Sequence, residues 1–213
     1  MGGHAKFAPM KNLGLSDYKI IIFWLAVFYF THLFMSGADH YLALTREAMG
    51  KYFNYKWFLI GHITAGGGAL ILGPFQFWKR LQRNYKKAHR VMGILYLLAI
   101  LVSSISAVVL AHTTAYTINW PYAFSTQVWA TVWIITTGIA YWAALKKQFK
   151  MHEVWMTKSY IVTVAFLVSG LALKIPIVYR LGSFDEISPS FFWFGWAVPL
   201  FVHEVVLAVK RKR

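Results

Sequence analysis

Eight histidines and no cysteine set the chemistry open to this 213-residue chain. Two of the histidines stand in matching contexts. The first follows a basic loop as Lys86-Lys87-Ala88-His89-Arg90, with Gly93 and Tyr96 beyond it. The second follows another basic loop as Lys150-Met151-His152-Glu153, with Met156, Ser159 and Tyr160 beyond it. Each leads into an apolar run, and the two histidines are 63 residues apart. This weak internal repeat predicts two imidazoles at one depth on two helices running the same way. Such a pair can ligate the iron of a b-type haem, the protein tuning the potential through burial and hydrogen bonds. The same pair could instead anchor the helices at a membrane surface, bonded to headgroups or to the preceding helix end. If His89 and His152 hold haem b, Gln76, Tyr96 and Tyr160 are expected to line the site.

A second group lies one helix earlier. His62, Gly66, Ala69, Gly73 and Gln76 recur at helical spacing and share one face, smooth in the middle and polar at both ends. Small residues in this pattern serve close packing of membrane helices. They could equally receive a flat ligand, a porphyrin or quinone ring, against the glycines. His32, His62 and His112 fall at the opposite end from His89, where any two could bind a second haem and three could hold a metal ion. His112 is 23 residues from His89, about 34 Å along a helix and about 140° round it. One face of that helix therefore cannot supply both ligand pairs. His40 and His203 are expected to bond locally. Lys174 and Glu204 sit in apolar stretches and could mark an ion or proton path. The plainer alternatives are that Lys174 snorkels outward and that Glu204 meets Lys210 or Arg211.

The elements that must position these groups are membrane helices. The chain is 58% hydrophobic, 18% aromatic and only 14% charged, outside the range of soluble domains. Apolar runs near residues 19–38, 57–78, 91–112, 125–145, 159–179 and 191–209 each approach the length of about 20 that crosses a bilayer. The expected fold is all-α, a six-helix transmembrane bundle forming a single polytopic domain over 1–213. A net charge of +15 would suggest nucleic acid in a soluble protein. Here 17 of the 22 basic residues fall on one side of the alternating loops, which is the positive-inside pattern with both termini inside. Anionic lipid headgroups are the expected partner of that face, and nucleic acid is not. A polar tail of about 18 residues precedes the first run, which reads as a retained helix and not a cleaved signal. The lack of cysteine excludes disulfides, iron–sulfur clusters and covalently attached haem. Seven acidic residues, no nucleotide loop and no Ser/His/Asp order leave carboxylate or triad catalysis without a basis.

Three boxes carry a resemblance: Gly73 to Phe77 after His62; His89-Arg90 with Gly93 and Tyr96; and His152 with Trp155-Met156 and Ser159-Tyr160. Over about residues 57–180 the chain resembles bacterial predicted membrane proteins grouped as a domain of unknown function. The resemblance implies a membrane location and no settled activity. More distantly the pattern is similar to six-helix b-type cytochromes and ferric reductases, which place one histidine on each of four core helices. The fourth segment here has no histidine, so that likeness leaves room for one inner haem and not two.

The resulting expectation is a multi-pass bacterial inner-membrane protein, a haem b- or quinone-binding electron-transfer subunit. His89 and His152 would be the inner ligands and His62 the outer one. Two alternatives stand beside it: a cofactor-free accessory subunit whose glycine face packs on a partner membrane subunit, and a small transporter using Lys174 and Glu204.

Overall fold

The computed structural model describes residues 15–36 and 38–211. Lys6, Lys11, Lys212 and Arg213 of the basic loops and tails, together with His4, lie outside them. Among the described residues every regular element is helical. Six long helices carry the fold: α1 (Leu15–Met35), α2 (Lys56–Phe77), α3 (Lys86–Thr113), α4 (Trp120–Leu145), α5 (Phe149–Ala172) and α6 (Phe184–Arg211). Short helical turns fill the connection over 39–55, and Lys79–Asn84 bridges α2 and α3. The last five of the long helices are long and apolar enough to cross a membrane. The expected first crossing, α1, contributes a shorter apolar stretch, Ile21–Leu33.

Four helix boundaries differ from the apolar runs, two of them through capping. α4 begins at Trp120 because the Asn119 side chain accepts the Tyr122 backbone N–H at 2.8 Å, with Pro121 in the first turn. α5 starts ten residues before the expected 159, so that Lys150, His152, Glu153 and Lys158 belong to its first turns. It stops at Ala172, ahead of Pro176, whose ring disfavours helical geometry in the residue before it. α6 begins at Phe184, where Glu186 accepts both the Ser183 backbone N–H and hydroxyl at 2.8 Å. That is one arm of a capping box.

The helices form a closed ring of four. α2 packs along α3, α3 on α4, α4 on α5, and α5 returns to α2. α6 lies outside on α4 and α5, and α1 on α2 and α5. The loops carrying Lys79, Arg80, Arg83, Lys86, Lys146 and Lys147 gather at one end, called here the basic end. α3 and α5 both run from it and stand diagonally across the ring.

The glycine face of α2 is used for packing. A Cβ at Gly73 would collide with the Tyr160 ring of α5. One at Gly66 would lie 3.2 Å from the Ser103 hydroxyl, and one at Gly61 would lie 3.2 Å from that of Ser106, both on α3. The expectation of a flat ligand lying along the whole stripe is therefore corrected at Gly73, whose cradle the chain fills with its own tyrosine.

Candidate functional site

The basic end holds the first candidate. Tyr96 lies seven residues beyond His89 and Ser159 seven beyond His152, and the Tyr96 hydroxyl bonds Ser159 Oγ at 2.9 Å. α3 and α5 are thus in register across the ring, and the two histidines stand one above each loop at equal depth. His152 directs Nδ1 at the carbonyl oxygen of Ala140 on α4, 2.8 Å away. A carbonyl only accepts, so Nδ1 carries the hydrogen and the Nε2 lone pair is left for another partner. Fixing one ring nitrogen on a backbone carbonyl is how proteins orient a ligating histidine.

Two further nitrogens at this level are unspent. His89 Nδ1 and Gln76 Nε2 are buried and find no hydrogen-bond partner among the described residues. The Gln76 side chain is 5% exposed. Its Oε1 sits 3.2 Å from where a Cβ on Gly93 would be, one turn beyond His89. Buried amide and imidazole nitrogens are nearly always satisfied, so a pair left open on neighbouring helices needs an explanation. Among the described residues no three His, Cys, Asp or Glu side chains gather as a metal-ion site. The donor set therefore suits a group bringing most of its own ligands better than a bare ion.

The opposite half contains a cavity of about 490 Å³. His62 and Gly66 of α2, Ser103 of α3, Trp129 and Trp133 of α4, and Phe166 of α5 are on its wall. Trp129 and Phe166 stack at 4.0 Å with 14° between planes, and His62 meets Phe166 edge-on at 5.9 Å. Around His62 the hydrogens can be assigned. The Ser103 hydroxyl donates to the His62 backbone carbonyl at 3.0 Å. Toward the ring it can then only accept, as does the Ser103 carbonyl, both 3.0 Å from Nδ1. His62 Nδ1 is the donor, and Nε2 presents a bare lone pair.

Several expected partners are placed elsewhere. Tyr96 is fully buried, but its hydroxyl is engaged by Ser159 and by Thr163 at 2.9 Å. Tyr160 turns its hydroxyl to the Leu70 carbonyl at 3.4 Å and its ring under Gly73. Both tyrosines join helices. His112 is exposed beside Tyr116 and Gln127, and His32 is exposed on α1. The outer trio of His32, His62 and His112 is not assembled as a metal-ion site. His40 stays local, its ring 3.8 Å from that of Tyr41. His203 does not bond locally through Nδ1, which is buried and without a partner among the described residues. Lys174 lies past the end of α5 and donates to the Leu33 carbonyl of α1 at 3.3 Å. Glu204 meets Lys158 of α5 at 2.6 Å, a cation absent from the expected pair of Lys210 and Arg211.

Ser103, Trp129, Trp133 and Phe166 were not legible as site residues. One signal was present: each of α2, α3 and α5 carries a pair 14 residues apart, His62/Gln76, His89/Ser103 and His152/Phe166. Fourteen residues span about 21 Å and return to nearly the same helix face. The pairs mark two tiers, one at each half of the ring.

A ring of apolar helices with polar groups turned inward defines a multi-helix membrane protein. A family model for predicted membrane proteins, DUF2306, matches residues 59–207, and the chain belongs to that family of unknown function. Neither a curated protein nor a solved structure matches the chain.

Proposed function

We propose that the protein is an electron-transfer subunit of the bacterial inner membrane that holds one haem b between His89 and His152 at a cytoplasmic basic end. The observation that carries this reading is the register of α3 and α5, tied by Tyr96 and Ser159, with His152 Nδ1 held on the Ala140 carbonyl. Two axial histidines are all that a haem asks of the protein, since the macrocycle brings four nitrogens of its own. Bound there, the group would supply one-electron exchange. His152 would present Nε2 from a fixed ring. The open Gln76 amide beside Gly93 would hydrogen-bond the group's edge, and the basic side chains nearby would attract its anionic substituents. The decisive measurement is the absorbance of purified protein, expressed with excess haem, before and after dithionite. A Soret band with a sharp α-band on reduction, lost in His89→Ala and in His152→Ala, is expected. Colourless protein that also fails to take up added haemin overturns the reading.

One observation favours a second reading. Gly73 is filled by Tyr160, so the bundle closes on itself without a ligand along that part of the stripe. A cofactor-free accessory subunit would behave this way, and it would be colourless and co-purify with a membrane partner.

A further inference from the structure

We infer that the cavity in the half of the ring away from the basic end is a binding site for the ring of a quinol, a flat lipophilic hydroquinone that donates a hydroxyl hydrogen to His62 Nε2. This proposal concerns binding alone and is independent of whether haem sits between His89 and His152.

Three features select that chemistry. The volume of about 490 Å³ lies within the range of small-molecule sites and is ample for a substituted six-membered ring with the start of a tail. The wall is mainly apolar and aromatic, with the stacked Trp129–Phe166 pair beside His62 and with Tyr41, Tyr122, Thr126 and Lys174 as further polar members, which favours a flat ring with polar substituents over a globular solute. His62 also gives the cavity an oriented acceptor. With Nδ1 committed to Ser103, His62 Nε2 can accept a hydrogen and cannot donate one while neutral. The quinol form has an O–H to give. The oxidised quinone has only carbonyl acceptors, and placed against a bare nitrogen lone pair it leaves that nitrogen unsatisfied. A second haem does not fit the same space, because the α5 residue facing His62 is Phe166, which has no ligand atom. Depth agrees as well: the cavity runs from Lys174 and Phe184 near helix ends to Trp133, 13 residues inside the start of α4, about 20 Å along the helix.

Trp129 and Trp133 provide the assay. The full-length protein in lipid nanodiscs is titrated with decylubiquinone, whose ring quenches nearby tryptophan fluorescence. The bound quinone is then displaced by decylubiquinol or by its dimethyl ether, which has the same ring and no hydroxyl hydrogen. A saturable quench is expected, and it shrinks in the Trp129→Phe/Trp133→Phe protein. The quinol should displace the probe at concentrations roughly tenfold lower than the ether, the factor corresponding to one hydrogen bond's worth of free energy. In His62→Phe, which keeps a ring and removes the acceptor, that preference should fall to about one while the quench persists. Ala107→Phe, which fills the cavity, should abolish saturation. Equal displacement by quinol and ether in the unmodified protein overturns the proposal without reference to any variant. So does a quench indifferent to both tryptophans. Haem content read from the same samples reports separately on the other end of the ring.

Discussion

The two tiers of the four-helix ring use the same three helices at the same spacing and arrive at opposite polar economies. In the tier away from the basic end, Ser103 satisfies His62 twice and fixes its tautomer, and the space beyond Nε2 is an open cavity. In the tier at the basic end, His152 is fixed by Ala140, yet His89 Nδ1 and Gln76 Nε2 stay buried and unmatched among the described residues. Neither His89 nor His152 lines that cavity. Histidine alone therefore does not define a site in this fold. What a neighbouring helix offers its second nitrogen decides whether the ring is fixed as an acceptor or keeps a nitrogen unmatched among the described residues.

The largest effect that tests this contrast is loss of the haem signature. If haem b is held between His89 and His152, His152→Ala removes one of the proposed ligands and the Ala140 contact together, so the Soret band should vanish. Ser103→Ala, which disturbs only the other tier, should leave the band and its reduced α-peak intact while weakening quinol discrimination. If Ser103→Ala also removes the colour, the tiers are not separable and the comparison fails.

Next in size are the glycines that set how closely the ring closes. Gly73→Ala drives a methyl into the Tyr160 ring, and overpacking of this kind costs about 1–3 kcal/mol. Gly68→Ala, on the same helix, meets nothing within 4 Å. It should be neutral or stabilising by up to about 0.5–1 kcal/mol through helix propensity. Unfolding in mixed micelles with increasing dodecyl sulfate gives both values. Tyr160→Ala should absorb much of the Gly73→Ala penalty, since contacting residues couple.

Between the tiers lies a layer that is all protein. Tyr96, Thr137, Ser159 and Thr163 share hydrogen bonds of 2.7–2.9 Å, and Trp133 Nε1 donates to Thr163 at 2.8 Å. Tyr96→Phe should cost about 0.5–1.5 kcal/mol, near the top of what such bonds yield between membrane helices. It should also loosen the α3–α5 register. The same micelle titration measures the first, and broadening of the reduced α-band, if His89 and His152 carry haem, reports the second.

How much of this was legible beforehand follows from the kind of signal each residue gives. The helical class and the equal depth of His89 and His152 were readable because periodicity and flanking charge act locally. The α2 stripe was readable as a face, but its use was not: Gly73 and Tyr160 are 87 positions apart in the chain, and only the closing of α5 onto α2 brings them together. The start of α5 is not readable because Lys150 and Glu153 look like loop residues, whereas a helix can begin with its charges exposed, as both are here. Trp129, Trp133 and Phe166 were hidden for another reason. In a chain that is 18% aromatic, a cavity wall and a lipid-facing ring look alike until neighbours are known.

The smallest expected effect concerns an ion pair tying α5 to α6. Lys158 and Glu204 meet at 2.6 Å with side chains 15% and 54% exposed, and the Lys158 ammonium also lies 4.0 Å from the Trp155 ring centre. A pair with one half-exposed member is worth only about 0.2–1 kcal/mol, but the two deletions should not be equal. Lys158→Met keeps the apolar stem packed and leaves a carboxylate that water can reach. Glu204→Gln leaves a mostly buried cation with its aromatic neighbour, which compensates only in part. Glu204→Gln should therefore be the more destabilising of the two in the micelle titration, and the Lys158→Met/Glu204→Gln double variant should recover part of that loss. The opposite order would mean that the carboxylate and not the ammonium is the buried partner. That outcome would revive the reading of Glu204 as a proton-carrying group, to be tested by pH-jump uptake in proteoliposomes.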